Sequence, residues 1–414
     1  MSAHANPFPT PYHEVGRRLL RHQDQLGRRG LSLREEIETR YLKKWEGETL
    51  FHALSVRSAL VSGMQDYLLR QGLLNLERVQ MSLVTDPLAH GVEHLPRIAY
   101  RDSAYVATHS MIYAKFMACH NPHLKGVFVD SPNLRLELPS ERQRGKYLLD
   151  FSQLDVELRR ERGVPLGDYL DRPEEVEAVL KEDLAKALAF FEGMARAGFE
   201  RVRDWAAPSL HALGVRLDMP EGPFPVFHLD EAPVPKEEAE AWFGRQTESQ
   251  AFFIVGLMRE NYDLIYPYLR KDGSRRAMGD FSSRQIYNYD LVVKGRLADG
   301  TELPAFEVLS GALREWLPEA IVARLLDNGV IPEAPRFDAR GEITNLEALG
   351  GYGPFLHLAC RRDAGGRGTF PDTFGAGIGI ERLLWALLRG PRIRHIEDDT
   401  FFGKNPDSAE LFLF

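Results

Sequence analysis

Cysteine is nearly missing from this chain: Cys119 and Cys360 are the two among 414 residues, too few for a disulfide framework or for a four-ligand zinc site of their own. Long apolar runs are missing as well. Nothing approaches the roughly 18 to 20 uninterrupted apolar residues that cross a bilayer, so a membrane protein is excluded. The first residues, MSAHANPFPTPYHEVGRR, lack the basic-then-apolar order of a signal peptide, and a cytoplasmic location is expected. There is no concentrated basic tail or arm either. The 52 Lys and Arg against 60 Asp and Glu leave a net charge of −8, which disfavours non-specific nucleic-acid binding and leaves a local patch open. No internal repeat or low-complexity tract is visible.

What is present is an ordinary globular composition, 44% hydrophobic and 27% charged, in a chain too long for one ordinary core. Residues 1 to about 12 read as a frayed tail. From there to Leu74 the apolar spacing is helical, with Val15, Leu19 and Leu20, then Leu33, Ile37 and Tyr41, then Leu60, Met64 and Leu68 on successive stripes. Strand-like runs follow at Val79 to Val84 and Arg97 to Tyr100, leading into a helix at HSMIYAKFMACH. GVFVDSPNLRLEL and YLLDFSQLDVEL alternate as two long antiparallel neighbours, separated by the basic loop PSERQRGK. Asp171-Arg-Pro173 opens a helix with an N-cap, and its stripe runs from Val176 to Trp205. A loop-rich stretch is expected from Pro208 to Pro235, then strands at QAFFIVGLM and either side of a hairpin at Ala298-Asp299-Gly300. TFGAGIGIERLLWALLRG reads as strand, glycine turn and helix. Hairpin-joined strands without regular βαβ alternation indicate an α+β fold.

Three alternate glycines in GAGIGIER, with Arg382 in the first turns of the next helix, allow two readings. One is a phosphate site, with close backbone approach and a guanidinium fork. The other is a tight strand-to-helix packing joint. It is neither a P-loop nor the GxGxxG dinucleotide motif. Arg135 and Glu137 share a face on one strand, and Phe151, Gln153, Asp155 and Glu157 share a face on the next. Each alone would suit a solvent face. Together, an aromatic beside an arginine and carboxylates suits an adenine base with its phosphates. Glu307, after the hairpin in FEVLSGALR, is placed to hold a divalent cation that bridges phosphates, or is a strand-end surface acid.

SPNLRLE through FSQLDVE resembles the second signature motif of the class II aminoacyl-tRNA synthetases, and TFGAGIGIER resembles the third. FEVLSGALR is similar to the glutamate, serine-glycine and arginine pattern of their aspartate and asparagine branch, and THSMIYAKF to its substrate-binding helix. DGSRR, NYDLVV, FEVLSGALR and TFGAGIGIER also resemble the layout of the ammonia-dependent asparagine synthetase that shares this fold. The resemblance implies an antiparallel sheet flanked by helices, at residues 55–160 and 246–414, with an inserted helical region at 161–245 and a helical amino-terminal region at 1–54. It implies ATP and Mg2+ as cofactors. Arg135 and Arg382 are the implied catalytic residues, on the α-phosphate and the terminal phosphates, with Glu137 beside them, Phe151 on adenine and Glu307 on magnesium.

Lys115 and Arg314 match the cations that hold the side-chain carboxylate of aspartate in this branch, and Gln153 and Asp155 match positions near the substrate amino group. Ser310 falls in the same pattern. Asp86, Ser110, Asp280 and Asp290 match further positions, with turn formation or helix capping as the competing role. The expected chemistry is attack of a carboxylate on the α-phosphorus, which arginines and magnesium stabilise with no enzyme nucleophile. Residues 14 to 74 show no β-barrel pattern like the branch's anticodon-binding domain. Ammonia is therefore the expected acceptor of the activated aspartate, giving asparagine. The alternative is a synthetase paralogue that passes an aspartate-like amino acid to tRNA, an amine or a carrier. A homodimer through residues 57 to 84 is also implied by the resemblance. A degenerate regulator without turnover is disfavoured, since Arg135, Glu307 and Arg382 are all kept.

Overall fold

The structure is a computed structural model, and it describes residues 11–42, 46–83, 96–136, 148–160, 172–257, 262–266, 285–366 and 368–393. Asp86, Glu137, Asp280, Asp171 and the whole PSERQRGK loop lie outside the described residues. The chain begins with α1 (Pro11–Arg28), α2 (Leu33–Glu36) and α3 (Glu48–Arg70). Ser32 starts α2 with a capping box, its Oγ accepting from the Glu35 N–H at 3.1 Å while Glu35 accepts from the Ser32 N–H at 2.8 Å. Leu20 does not begin a buried stripe; it is 62% exposed.

Short strands β1 (Leu74–Asn75), β2 (Met81–Ser82), β3 (Arg97–Tyr100) and β4 (Ser103–Ala107) lead to α4 (Ile112–Cys119). Then come β5 (Gly126–Leu134), β6 (Asp150–Arg159), α5 (Pro173–Leu213), β7 (Val226–His228), α6 (Lys236–Gly244) and β8 (Ala251–Val255). The small pair β9 (Ile265–Tyr266) and β10 (Gln285–Ile286) precedes the hairpin β11 (Asn288–Arg296) and β12 (Glu302–Leu313). The hairpin turns at Gly300, whose φ of 94° suits glycine. Helices α7 (Pro318–Asp327), α8 (Leu346–Leu349) and α9 (Gly353–Ala359) lead to β13 (Thr373–Gly379) and α10 (Ile380–Leu388).

An eight-stranded sheet runs β1-β5-β6-β13-β12-β11-β8-β7. It is antiparallel except at its edges, where β1 joins β5 and β7 joins β8 in parallel. The α+β fold with an antiparallel-dominated sheet flanked by helices is as the sequence indicates. Its two faces differ. One carries the row Phe128, Val156, Ala376, Gly311 and Tyr289, all buried and packed towards α5, where the Phe191 ring lies 5.5 Å from that of Tyr289. Each such fully buried aromatic contributes roughly 1.5–3 kcal/mol.

Helices α3 and α5 run antiparallel, because Gly63 meets Ala197 and Gly198 while Gly193 meets Tyr67. The bare glycines let the backbones approach, and Arg201 to Asp66 at 2.6 Å pins the pair. A loop does not begin at Pro208. Helix α5 continues through it to Leu213, and Ala206 takes up the kink with φ −125° and ψ 15°. Beyond the kink Leu210 and Leu213 are buried, so packing holds a last turn that the proline alone would end. The residue at the start of α5 is Arg172, with no side-chain cap. Asp183 of α5 accepts from Arg160 at 2.9 Å, and that guanidinium lies 5.0 Å from the Trp316 ring. Burial pushes the Arg160 pKa down to about 10, against the pull of Asp183.

Candidate active site

The sheet's other face is polar, and the strand register shows why. Residues opposite one another on antiparallel strands project to the same side. One row across the sheet is Val129, Asp155, Gly377, Ser310 and Asp290; the next is Val127, Glu157, Gly375, Ala312 and Asn288. Further along β5 and β6 lie the pairs Ser131 with Gln153 and Asn133 with Phe151. Carboxylates therefore flank β13 where it carries glycine. A Cβ at Gly377 would stand 2.8 Å from Asp155 Oδ1, and one at Gly375 would run into the Glu157 carboxylate. The first two glycines of GAGIG are bare because the neighbouring strand's acids lean across them. Gly379 is different: its nearest neighbour would be Arg382 Cβ at 3.7 Å.

Helix α4 covers these acids with one cation. Lys115 Nζ donates to Asp155 Oδ1 at 3.0 Å and lies 3.7 Å from Glu157 Oε2. Arg314, just past β12, donates from Nε to Glu157 Oε1 at 3.3 Å, and its Nη1 is 3.7 Å from Asp263 Oδ1. Thr373 Oγ1 donates to Glu157 Oε1 at 2.7 Å, and Asn288 Nδ2 donates to Asp263 Oδ2 at 2.8 Å. Burial works against the Arg314 charge, yet Glu157 and Asp263 outweigh it and raise its pKa. Among the described residues, Asp155 Oδ2 and Glu157 Oε2 accept no hydrogen bond.

The other end of the face is more open. Arg135 follows β5, donates to the His109 carbonyl at 3.1 Å and to Gln153 Oε1 at 3.4 Å, and lies 5.1 Å from the Phe151 ring. Ser110 caps the first turn leading into α4, its Oγ accepting from the Ile112 N–H at 3.2 Å. Arg382, in the first turn of α10, donates to Glu307 Oε2 at 2.9 Å, and both side chains are 21% exposed. Glu240 of α6 accepts from the Glu307 N–H at 2.8 Å. Glu381 accepts from the Ser152 N–H at 2.9 Å, which ties α10 to the start of β6 next to Phe151, and burial raises its pKa.

The structure thus gathers Arg135, Phe151, Gln153, Asp155, Lys115, Ser310, Asp290 and Arg314 on one face, with Glu307 and Arg382 paired at one end. Sequence reasoning missed Asp263, Asn288, Thr373 and Glu240 as neighbours of the site. Their importance comes from pairing across distant strands, which no local spacing announces. Neither cysteine offers a nucleophile: burial pushes Cys119 up to about 12 and Cys360 up to about 11. Among the described residues no three His, Cys, Asp or Glu side chains cluster to hold a metal. Glu307 therefore fits a magnesium ion only in the way that ion is often held, by one or two carboxylates together with substrate phosphates. Among the described residues, no helix is long and apolar enough to cross a membrane.

No family model matches the chain. It is 21% identical over 378 residues to an aspartate-tRNA(Asp) ligase of Thermococcus kodakarensis, covering 90% of this chain and 73% of that protein. It is likewise 21% identical to the aspartate-tRNA(Asp) ligase of Thermoplasma volcanium, with 89% and 73% covered. Among solved structures, asparaginyl-tRNA synthetase from Pyrococcus horikoshii complexed with asparaginyl-adenylate superposes with a TM-score of 0.57 at 17% identity, covering 92% of this chain and 74% of that one. The Entamoeba histolytica asparaginyl-tRNA synthetase in complex with asparaginyl-adenylate gives a TM-score of 0.60 at 14% identity, with 91% and 72% covered. The chain has the class II aminoacyl-tRNA synthetase-like fold, and the proteins it is similar to belong to the aspartate and asparagine branch.

Proposed function

We propose that this protein is an AMP-forming ligase that activates aspartate with ATP as an acyl adenylate and transfers the aspartyl group to an acceptor, with tRNA the acceptor best supported. The observation that carries the reading is one shared face. The Arg135 and Phe151 pair, fit for a nucleotide, and the Lys115 and Arg314 pair, fit for an anionic side chain, flank the same glycine-cleared floor.

In this reading Phe151 stacks on adenine, and Arg135 grips the α-phosphate and Arg382 the terminal phosphates. Lys115 and Arg314 receive the side-chain carboxylate, and Gln153, Asp155, Ser110, Asp290 and Ser310 surround the amino end. The α-carboxylate attacks the α-phosphorus, pyrophosphate leaves, and AMP leaves when the acceptor attacks the acyl carbon. Charge building on the phosphoryl oxygens is met by guanidinium groups already in place, in a site that keeps water out where it is most buried. Magnesium, when bound, screens the phosphate charge; Glu307 would hold it alongside the phosphates. Pairing of two copies through residues 57–84 belongs to the same proposal and is checked by sedimentation.

The acceptor is where the expectation from sequence and the comparisons diverge. The resemblance to asparagine synthetase favours ammonia, whereas the relatives above are tRNA ligases by name. The test is pyrophosphate exchange with magnesium, ATP and each amino acid, followed by AMP release with tRNA or with ammonium. Aspartate-dependent exchange with tRNA-stimulated AMP release and aspartyl-tRNA supports the proposal. Ammonium-stimulated release yielding asparagine replaces the acceptor, and no exchange with any amino acid removes the reading.

A further inference from the structure

Resting on the reading that this face holds an aminoacyl adenylate, we propose that Arg160, held by Asp183 of α5, is a positioning residue that sets the geometry of Glu157 and Arg314 and thereby the grip on the amino acid. The starting point is Thr373, the first residue of β13. Its Oγ1 donates to Glu157 Oε1 at 2.7 Å, and its backbone carbonyl accepts from the Arg314 N–H at 2.9 Å. A single residue therefore bonds the buried carboxylate and the segment that carries the guanidinium. A shift of Thr373 is passed on to both partners.

Thr373 is held in turn through the residue before it. The Arg160 N–H donates to the Asp372 carbonyl at 2.8 Å, and the Arg160 guanidinium pairs with the Asp372 carboxylate. The same guanidinium donates from Nη1 to Asp183 Oδ2 at 2.9 Å and lies 5.0 Å from the ring of Trp316, two residues beyond Arg314. Arg160 thus meets the β13 and β12 segments of the cluster and follows Glu157 on the third, β6. A guanidinium presents its donors in a rigid fork, so bonds to Asp183 and Asp372 together fix its orientation. Its side chain is 1% exposed, which leaves little room for water to replace a lost partner. Burial lowers its pKa to about 10, and it stays charged at neutral pH. The nucleotide end is built elsewhere. Thr373 pairs with Arg159 and Gly379 with Gln153, so Arg382 belongs with Phe151 at the start of β6, whereas Arg160 lies just past its end, roughly 30 Å along the strand from Phe151.

The test is pyrophosphate exchange with the full-length protein, magnesium and ATP, with KM for aspartate and KM for ATP measured separately in the wild type, Asp183→Ala and Asp183→Asn. Asp183→Ala is expected to raise KM for aspartate about tenfold or more and to leave KM for ATP within about twofold, as when a contacting group is left loosely supported. Asp183→Asn keeps an oxygen that accepts from Arg160, and it should bring KM for aspartate most of the way back. A general loosening of the fold would move both constants together and would not be relieved by the amide. That result, or an unchanged KM for aspartate in a folded Asp183→Ala, overturns the inference and leaves adenylation standing. No exchange by the wild type with any amino acid removes the underlying reading instead. If Asp183→Ala melts early, Arg160→Lys decides, because it keeps the buried charge and loses the fork that spans both carboxylates: a rise in KM for aspartate alone is expected, and unchanged constants contradict the proposal.

Discussion

Under α4, Lys115 and Arg314 keep side-chain exposures of 2% and 8% and each already holds a carboxylate, whereas Glu307 and Arg382 keep 21% each and pair with one another at 2.9 Å. The buried end is preorganised: its charges are ordered in advance, so a ligand meets fixed partners and small differences in its side chain are felt. The open end carries the Arg382–Glu307 ion pair, which an anion can enter by competing for the arginine. In the proposed function, selectivity belongs to the buried end and phosphate handling to the open end.

Removing a charge should separate the two ends most clearly. Lys115→Met leaves Asp155 and Glu157 without their common cation, and the expected cost is about 3–5 kcal/mol of stability, read as a lowered denaturant midpoint. A midpoint within experimental error of wild type would mean that Lys115 is not structural. At the open end Arg382→Met should leave stability within about 1 kcal/mol, because partly exposed ion pairs contribute little. Its effect falls on chemistry, with kcat in pyrophosphate exchange lowered about 10²- to 10³-fold, the usual size for losing a transition-state charge partner.

The glycines sharpen the same contrast. Gly375→Ala drives a methyl into Glu157 and should cost about 1–3 kcal/mol. Gly379→Ala has 3.7 Å of room and an ordinary φ of −75°, so its melting temperature should match wild type. Equal melting for both variants would show that the acids do not lean over β13. The smallest expected effect is a pH slope. Burial raises the Glu381 pKa, so the folded state holds its proton more tightly than the unfolded one. That contribution is complete at pH below the ordinary carboxylate value and fades as pH rises through the raised one. Glu381→Gln keeps an acceptor for Ser152 and should flatten that part of the stability profile; an unaltered profile would assign the slope to other groups.

Much of this site could be read from residue order. Period-two alternation in GVFVDSPNL and DFSQLDVEL placed Phe151, Gln153 and Asp155 on one face, and the register confirms it. The GAGIG segment alone fits both a phosphate loop and a packing joint, and for Gly375 and Gly377 the packing of neighbouring acids explains the missing side chains. Pro208 misled because proline's local penalty was weighed without the buried residues that follow it. Asp263 was invisible for a deeper reason. It meets Arg314 through an isolated bridge beyond the end of β12 and a side-chain approach of 3.7 Å, and a carboxylate in NYDLIY has no local feature that marks it as the partner of a distant arginine.

The most direct measurement is aspartate-dependent exchange of pyrophosphate into ATP by the wild-type protein in magnesium. The expected result is exchange that requires both aspartate and magnesium and that collapses in Arg382→Met at unchanged melting temperature. Absence of exchange with every amino acid, in a protein that melts cooperatively and binds ATP, would contradict the assignment of this face to adenylate formation.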